Sequence, residues 1–559
     1  MLNDKQRRVV FDLPGNTIVS ASPGTGKTKT LVARALHKLT SLPLHKSLAL
    51  ITYTNAGADE IASRLINNEN NIFVGTIHRF CLEYILRPFN WLYAWHRPRI
   101  VTYAEKIEFV ETNTHIDLGK NPLDELNKIK KLLDGELDIN IEWSNDQPIE
   151  YVANLYYNFL ITKQAIDFNE ILYRSYKLIS ENEFIVNSLA NKFYEISVDE
   201  FQDTNIFQYE ILKAINRKHI CTFFMVGDEK QKILRFAGAI DNAFTKASAD
   251  FDTTIEILEV TYRSTTNIIN AYSALFENHP VLINESQYKA MDRKIIFRNT
   301  QSSHNIIIRL IDYFTREKNI NPSEIAVLSV RWYEALNVSK ILRNKYPIVG
   351  FGALPHKHLH SSTFNLIRCI SKFLYSTSVK NLRVIRRNIE LHVLENNLVV
   401  NDSDFNSLMN IFISRISKID RSIPLLQGIS ELQTVFDSIF KTSDSNFNEI
   451  LTLLEKDDSN FWTFGKYTET LSGVSGITIN IIHQVKGLEY EVVILNGINE
   501  GIIPYQGIDY PLSEEIMEDG KKLLYVGISR AKSTLVVLHN HTPSIFLSII
   551  KSNDPVISL

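Results

Sequence analysis

A glycine-rich segment near the amino terminus has the composition of a phosphate-binding loop. Residues 21–28 read ASPGTGKT and lie between an apolar run typical of a strand and an apolar pattern typical of a helix. Gly24 and Gly26 let the backbone N–H groups face an anion, and the start of the helix adds the positive end of its dipole. Lys27 would reach the β and γ phosphates, and Thr28 would offer a hydroxyl to Mg²⁺. The predicted phosphate-binding residues are Ala21, Ser22, Pro23, Gly24, Thr25, Gly26, Lys27 and Thr28.

A glycine-rich turn that caps an ordinary helix is the alternative interpretation of this segment. Ala21 stands where the general pattern has glycine, which weakens the motif when it is considered alone. The order of strand, loop and helix favours the phosphate loop, because that order is what a phosphate site requires.

Further along the chain, a predicted strand ends in two carboxylates. Residues 193–203 read FYEISVDEFQD, so Asp199 and Glu200 leave the strand together. Asp199 would hold Mg²⁺ directly or through water, and Glu200 would orient and deprotonate an attacking water. Acidic pairs at strand ends are common, but a pair at a domain-like distance after a phosphate loop predicts hydrolysis of a bound nucleotide.

Two glutamines could contact the nucleotide. Gln6 carries a donor and an acceptor side by side, which match the N6 and N7 edges of adenine, although alone it would be an ordinary surface residue. Gln231 follows the apolar run CTFFMV at residues 221–226 and could bond the γ phosphate.

Short apolar runs alternate with helical patterns along the chain. Runs at residues 48–51, 72–74, 221–226 and 255–258 are each followed by polar or glycine residues. This alternation predicts an α/β fold with a mostly parallel sheet and ligands at the carboxyl ends of its strands.

Composition limits the class of protein. The chain has 559 residues, of which 44% are hydrophobic and 22% charged, which predicts a globular protein of about three or four domains. It has three cysteines without metal-ligand spacing and lacks an apolar amino-terminal signal or a long apolar run, so we expect a soluble, cytoplasmic protein without a membrane partner. The net charge of −3 neither requires nor excludes nucleic acid.

Together these segments resemble the superfamily 1 helicases of the UvrD, Rep and PcrA type. The resemblance covers both ends and the middle of the chain. The segments that carry it are LNDKQ, ASPGTGKT, TYTNAGADEI, GTIHRFC, VDEFQDTN, VGDEKQKILRFAGA, LEVTYRST, HQVKGLEYEVVIL and LLYVGISRAK.

The resemblance implies an ATP site shared by two RecA-like lobes. Gln6 would read the adenine edge and Tyr262 would stack on the ring, with Glu489 also among the nucleotide-binding residues. Arg263 and Arg530 would be the two arginine fingers. The residues expected to act in catalysis are Lys27, Asp199, Glu200, Gln231, Arg263 and Arg530, with ATP and Mg²⁺ as cofactors.

The resemblance also implies a binding surface for single-stranded DNA. Its residues would be Tyr53, Thr76, His78, Phe236 and His483, with Phe236 as a platform on which bases stack. The chain departs from the family where Phe236 and Ala237 replace the usual tryptophan and arginine, and where Ile481 replaces a hydroxyl residue two places before His483. Each departure removes one expected strand contact.

The predicted organisation is two RecA-like parallel-sheet lobes, each with a helical insertion. The second insertion reads as short helices and is reduced relative to the family pattern. The predicted units are residues 1–81 and 166–276 for the first lobe, 82–165 for its insertion, 277–379 and 474–559 for the second lobe, and 380–473 for the reduced insertion.

The expected function is that of an ATP-dependent DNA helicase and single-stranded DNA translocase. By resemblance its polarity is 3′ to 5′, with a role in antiviral defence or DNA repair. The alternative is a DNA-gated regulatory ATPase that controls a partner nuclease, because no nuclease domain is expected in this chain and it resembles the UvrD-like subunit of Gabija-type phage-defence complexes. A small-molecule kinase would not explain the paired fingers or the strand-side motifs. The sequence leaves DNA against RNA, partner identity and oligomeric state open.

Overall fold

A computed structural model describes most of the chain. The described residues are 2–65, 71–93, 99–116, 118, 122–139, 141, 143, 147–233, 238–300, 303–343, 345–350, 353–354, 362–395, 402–440, 445–456, 462–473, 475–506 and 512–551. Within these ranges no helix has the length and apolarity that crossing a membrane requires.

The strands form two large sheets and two short pairs. In chain order they are β1 Thr17–Ala21, β2 Ser47–Thr52, β3 Ile72–Thr76, β4 Arg99–Ile100, β5 Ala165–Ile166, β6 Phe193–Val198, β7 Thr222–Gly227, β8 Thr254–Leu258, β9 Val260–Thr261, β10 Ile283–Asn284, β11 Ile296–Asn299, β12 Ile325–Ser329, β13 Ile348–Val349, β14 Ile477–Ile481, β15 Tyr490–Asn496 and β16 Ala531–His539.

The α-helices cover the sheets and build the insertions. They are α1 Asp4–Arg7, α2 Lys27–Leu39, α3 Asn55–Arg64, α4 Ile77–Cys81, α5 Arg87–Phe89, α6 Tyr103–Thr112, α7 Pro122–Lys128, α8 Ile149–Thr162, α9 Phe168–Glu181, α10 Glu183–Lys192, α11 Ile206–Asn216, α12 Ala243–Asp250, α13 Thr266–Ser273, α14 Ser303–Asp312, α15 Trp332–Leu342, α16 Ser362–Tyr375, α17 Val379–Glu395, α18 Asp402–Ile416, α19 Leu425–Phe440, α20 Ser445–Lys456, α21 Phe464–Ser472, α22 Glu514–Ile528 and α23 Phe546–Lys551.

The first lobe is built on a six-stranded parallel sheet. Its strand order is β3-β2-β6-β7-β1-β8, and all its pairs are parallel. Strands such as β7 are buried almost throughout, as expected when helices cover both faces of a parallel sheet. Because all six strands run the same way, the segments that follow them meet at one edge of the sheet.

The second lobe repeats this architecture. Its sheet has the order β11-β16-β15-β12-β14-β13 and is also parallel throughout. The strand β16 has nine residues and lies between β11 and β15, although the sequence pattern had not identified it. The predicted α/β fold with two parallel-sheet lobes is therefore confirmed.

Each lobe carries a helical unit with its own apolar core. In the first unit, Phe109, Tyr156 and Leu160 pack together beside the short pair of β4 and β5. The core of the second unit runs from Leu354 to Leu471, so α16 packs with this unit and not with the sheet. The helices α17, α18 and α19 have 17, 15 and 16 residues, longer than the short helices that the sequence suggested.

The second helical unit also contacts the first lobe. The Asp59 carboxylate in α3 pairs with Arg387 of α17, and the Arg368 guanidinium lies 4.0 Å from it. Arg79 lies 3.7 Å from Glu390 on the same face of α17. These pairs seat the unit beside α3, the helix that begins directly after β2 and Tyr53.

A buried ion pair ties the amino-terminal segment to the first sheet. Arg34 of α2 donates to both oxygens of Glu195 on β6, at 2.8 to 3.1 Å, and both side chains are 1% exposed. The same guanidinium donates to the carbonyl oxygen of Val9 at 2.6 Å. This bond fixes the segment that carries Gln6 against the phosphate loop.

Candidate active site between the two lobes

The loop between β1 and α2 depends on two glycines with positive φ. Gly24 has φ of 75°, and a Cβ there would lie 2.6 Å from the Arg263 Cβ and the Thr261 Oγ1. Gly26 has φ of 85°, and its Cβ would lie 2.7 Å from the Gln6 Nε2. A side chain fits at neither position, so the loop lies directly against Gln6 on one side and Arg263 on the other.

The loop is closed by its own hydrogen bonds. The Thr25 hydroxyl donates to the Ser22 carbonyl at 2.8 Å, and the Lys27 ammonium donates to the Ala21 carbonyl at 2.8 Å. The Pro23 carbonyl accepts a bond from Thr261 at 3.0 Å. Burial lowers the pKa of Lys27, so an anion that paired with this ammonium would relieve an unfavourable position. Thr28 follows Lys27 in the first turn of α2.

Gln6 and Tyr262 both lie beside the loop, and Asn3 links them, since its side-chain amide donates to the Tyr262 hydroxyl at 3.0 Å. The Gln6 amide is 1% exposed; its nitrogen donates to the Thr25 carbonyl at 2.9 Å, and its oxygen accepts from the Asn3 N–H at 3.0 Å. The Tyr262 ring is 43% exposed, and its backbone N–H donates to the Gly24 carbonyl at 3.0 Å. An adenine ring would find an open aromatic face at Tyr262, whereas Gln6 would have to exchange a protein partner to read both base atoms.

The acidic pair lies where β6 ends, between the ends of β2 and β7. The Asp199 N–H donates to the Ile51 carbonyl at 2.8 Å, which extends the pairing one residue beyond the strand. Glu200 then adopts a left-handed conformation with φ of 51°, which is unfavourable for a residue with a Cβ. Its N–H donates to Asp199 Oδ1 at 3.0 Å, and this turn directs the two carboxyl groups into the cleft.

The two carboxyl groups have opposite electrostatic environments. Burial and the nearby Glu200 raise the pKa of Asp199. Burial alone would also raise the pKa of Glu200, but the ammonium groups of Lys486 and Lys27 lower it. The Gln202 amide donates to Glu200 Oε2 at 2.5 Å and further favours its ionised form. Glu200 is therefore held in its ionised form, whereas Asp199 lies where a nearby cation would be favourable.

Lys486 of the second lobe reaches into this cluster. Its ammonium pairs with Asp203, lies 3.5 Å from Glu200 Oε2 and donates to the Gln231 carbonyl at 3.1 Å. Burial opposes the charge, but Asp203 and Glu200 raise the pKa of Lys486. Lys486 lies in the segment HQVKGLEY, but its role cannot be predicted from the sequence because its partners are distant in the chain.

The two predicted fingers differ in their surroundings. The Arg263 guanidinium donates to Glu489 Oε2 at 2.7 Å and to the Ser529 carbonyl at 3.0 Å, and it is partly accessible. Glu489, predicted to bind the nucleotide, is thus the acidic partner of a finger. Arg530 is 1% exposed, and burial together with Arg263 lowers its pKa to about 9, so it remains a cation at neutral pH.

Gln231 joins the two lobes at the centre of the cleft. Its amide oxygen accepts from Arg530 Nη2 at 3.3 Å, and its nitrogen donates to Asp228 Oδ2 at 2.8 Å. The position of Gln231 therefore depends on a residue from each lobe, as a sensor of the bound nucleotide would require.

The four predicted strand-side residues that the structure describes occupy three separate segments. Tyr53 follows β2 and lines a small cavity with Glu200 and Asp203, and burial, with Asp203 next, raises its pKa to about 12. Thr76 caps α4 by accepting from the Arg79 N–H at 3.3 Å, a bond that by itself is structural.

The two histidines of the strand-side set are partly buried. His78 packs edge to face on Phe168 with ring centroids 5.4 Å apart, and burial lowers its pKa to about 4. His483 lies in the turn after β14, and burial lowers its pKa as well. Both are neutral at physiological pH and would bind a strand by hydrogen bonding or stacking. Phe236 lies outside the described residues.

The fold and the site define a class of protein. A phosphate loop, an acidic pair and a glutamine from one parallel-sheet lobe face a buried arginine and a lysine from a second such lobe. This is the arrangement of a two-lobed nucleotide hydrolase in which the second lobe completes the site.

Comparison with known proteins identifies the family. Residues 2–252 match the UvrD/REP helicase N-terminal domain, and residues 411–542 match the UvrD-like helicase C-terminal domain. The chain therefore belongs to the UvrD-type helicases of superfamily 1, and it is an enzyme of that class.

Full-length relatives support this assignment. The chain is 25% identical to a probable DNA helicase II homolog of Rickettsia conorii, over 99% of this chain and 94% of the relative. It is 24% identical to the ATP-dependent DNA helicase Rep of Buchnera aphidicola, over 96% of this chain and 94% of that relative. It is 23% identical to the ATP-dependent DNA helicase PcrA of Bacillus subtilis, over 98% of this chain and 83% of that relative. The similarity thus extends across both lobes and both helical units.

Proposed function

We propose that this protein is an ATP-dependent DNA helicase that moves along single-stranded DNA. The observation that carries the proposal is the bond between Arg530 of the second lobe and Gln231 of the first, next to the phosphate loop. Through it, the state of a nucleotide in the cleft alters the contact between the lobes. The relatives described above are named as DNA helicases, which supports DNA as the substrate.

ATP would bind with its phosphates in the loop of residues 21–28. Lys27 would exchange the Ala21 carbonyl for phosphate oxygens, and Arg263 and Arg530 would approach the γ phosphate from the opposite side. Such fingers stabilise the charge of the transition state. Because its lowered pKa makes Glu200 a weak proton acceptor, we infer that it mainly orients the attacking water through a hydrogen bond.

Thr28 and Asp199 would hold Mg²⁺ with the phosphates. Burial and Glu200 raise the pKa of Asp199, so a nearby cation fits this site. Among the described residues no cluster of three or more His, Cys, Asp or Glu could hold a metal alone, which agrees with a cation that needs phosphate oxygens as ligands. When bound, Mg²⁺ neutralises phosphate charge.

Hydrolysis would be coupled to the strand through shared residues. Tyr53 lines the same small cavity as Asp199 and Glu200, so a movement at either carboxylate changes the surroundings of a predicted strand contact. Cycles of lobe closure and opening would then alter the grip of Tyr53, Thr76, His78 and His483 on DNA. The proposed polarity is 3′ to 5′, on the family resemblance.

One observation favours the second candidate, a DNA-gated ATPase subunit that controls a partner nuclease in a Gabija-type antiviral complex. The second helical unit is held on α3, next to Tyr53, by the pairs of Asp59 with Arg387 and Arg368. Such a contact would restrain the strand-side surface until a signal released it.

Three measurements separate these functions. ATP turnover is measured without nucleic acid, with single-stranded DNA and with single-stranded RNA, with Glu200→Gln as the inactive control. A helicase is strongly stimulated by DNA and separates a duplex with a 3′ tail but not one with a 5′ tail. If neither nucleic acid stimulated ATP turnover, the proposal of a helicase that moves along DNA would be contradicted. Weak unwinding together with copurification of a nuclease would favour the regulatory subunit.

A further inference from the structure

A network of hydrogen bonds leads from Gln231 to α22 of the second lobe. Asp228 Oδ2, which accepts from Gln231, lies 3.2 Å from the hydroxyl oxygen of Tyr525 on α22. That hydroxyl oxygen lies 3.0 Å from Nε2 of His279, and His279 Nδ1 lies 2.8 Å from the Pro280 carbonyl oxygen. This network of hydrogen bonds thus crosses from the first lobe to the second and includes a titratable group, the His279 imidazole.

When His279 is neutral, this hydrogen-bond network has too few protons to form all of its bonds at once. A carbonyl oxygen only accepts, so the bond to Pro280 requires the proton on Nδ1. Nε2 of the neutral ring is then an acceptor and competes with Asp228 for the Tyr525 hydroxyl proton. Asp228 is also an acceptor, and the single hydroxyl proton cannot serve both Asp228 and His279.

Protonation of His279 completes the network. The imidazolium donates from both nitrogens, so Nε2–H bonds the Tyr525 oxygen and the hydroxyl proton turns towards Asp228. Tyr525 itself stays protonated, because burial and then Asp228 raise its pKa well above the usual value. Only a charged His279 therefore leaves the Tyr525 hydroxyl proton entirely to the Asp228 carboxylate.

The surroundings of His279 are mixed in charge. Burial lowers its pKa below 6.5, with Lys230 acting in the same direction and Asp228 in the opposite one. The rings of Tyr272 and Tyr525 pack against it at centroid distances of 5.9 and 5.7 Å. The other charged groups that line the adjoining cleft are Glu229, Lys232, Asp241, Glu277, Glu518, Lys521 and Lys522. His279 is partly exposed, so protons reach it from solvent.

We propose that His279 and Tyr525 are positioning residues that hold Asp228, and through it Gln231, in the orientation used for ATP hydrolysis. With His279 protonated, Tyr525 secures Asp228 and ties the lobes together. With His279 neutral, the ring and Asp228 compete for the single hydroxyl proton, and the support weakens. This inference rests on the proposed ATP hydrolysis and adds a proton-dependent control to it.

The test compares steady-state ATP turnover between pH 5.5 and 8 in the full-length protein. In His279→Phe the hydrogen bond is lost, and in His279→Gln an amide N–H can donate at every pH. We expect the ratio of the wild-type kcat to that of His279→Phe to increase about two- to tenfold as the pH falls, the range that one hydrogen bond supplies. The ratio of His279→Gln to His279→Phe should not change with pH, and KM for ATP should be unaffected.

Two further variants make the test specific. In a Tyr525→Phe background, His279→Phe should have no additional effect, because the histidine acts through the hydroxyl. His45→Gln is the matched control, since His45 is exposed just before β2, at the opposite edge of the sheet from the cleft. The proposal would be overturned if the ratio of the wild-type kcat to that of His279→Phe did not change with pH. It would also be overturned if His279→Phe had the same effect in the Tyr525→Phe background as in the wild type.

A spectroscopic measurement separates this inference from the proposed function. In ¹⁵N-histidine NMR at pH 8, His279, assigned by its loss in His279→Phe, should carry its proton on Nδ1. A proton on Nε2 would overturn the inference even if ATP turnover were normal. A wild-type protein that hydrolysed no ATP at any pH would instead refute the proposed hydrolysis, and the positioning role with it, whatever the tautomer.

Discussion

Replacement of the two predicted fingers should give equal losses in turnover but unequal losses in stability. Arg530 is 1% exposed, and its guanidinium donates to the carbonyls of Val526 and Leu488 at 3.0 and 3.2 Å, and to Gln231 at 3.3 Å. Arg263 is partly accessible and pairs with Glu489 at the edge of the cleft. The two residues therefore share a predicted role in very different surroundings.

The magnitudes follow from these surroundings. Loss of a finger lowers kcat by roughly 10³ to 10⁵, which corresponds to about 4 to 7 kcal/mol in the barrier. Arg530→Ala also removes the donor to the Leu488 carbonyl and to the Gln231 amide oxygen, at about 1 to 3 kcal/mol each, so its free energy of unfolding should fall by about 2 to 6 kcal/mol. Arg263→Ala removes a partly exposed pair worth about 0.2 to 1 kcal/mol and one hydrogen bond to the Ser529 carbonyl worth about 1 kcal/mol.

The assay is single-turnover ATP hydrolysis with saturating single-stranded DNA, paired with urea unfolding of each variant. Arg530→Lys is the control, because it keeps a positive charge but cannot donate in several directions at once. Its kcat should lie between those of the wild type and Arg530→Ala. A folded Arg530→Ala protein with near-normal turnover would refute the finger assignment, and a stability loss as small as that of Arg263→Ala would refute the reasoning from burial.

Three further changes test other contacts. Glu489→Gln should lower KM for ATP by up to about fivefold, because it frees Arg263 from a partly exposed pair; a higher KM would show that Glu489 binds the nucleotide instead. Arg34→Met should lower the free energy of unfolding by about 3 to 5 kcal/mol, since it leaves Glu195 buried without its partner, and in urea unfolding Arg34→Met with Glu195→Leu should recover most of the loss. Gly26→Ala should abolish binding of a fluorescent ATP analogue while thermal unfolding changes little. The φ of 85° and a Cβ 2.7 Å from the Gln6 Nε2 would distort the loop locally. Unchanged binding would contradict the predicted phosphate site.

Much of the first lobe could be predicted from local patterns. Runs such as 221–226 are apolar because a parallel strand is covered on both faces, and polar residues follow because ligand-facing segments begin there. This logic placed Asp199 and Gln231 at one edge of a sheet, as the structure has them. It missed β16, whose run AKSTLVVLH begins with polar residues, and it underestimated the helices of the second unit.

Pairings between distant residues could not be predicted in this way. The family resemblance predicts Glu489 as a nucleotide contact, and its pairing with Arg263 in the structure is a further contact that the sequence did not indicate. Nothing local indicates that Lys486 would pair with Asp203, 283 residues earlier, or that Asp59 would meet Arg387. Such pairs depend on how lobes and helical units pack, which no run of neighbouring residues encodes.

By itself, the sequence determined which chemical groups are present and on which strand ends they lie. Backbone sterics impose that much, because a phosphate loop needs its glycines and a buried strand needs its apolar run. Only the tertiary structure decided which groups are partners in the cleft. The opposite pKa shifts of Asp199 and Glu200, and the bond of Gln231 to Arg530, arise from burial and from charges brought together across two lobes.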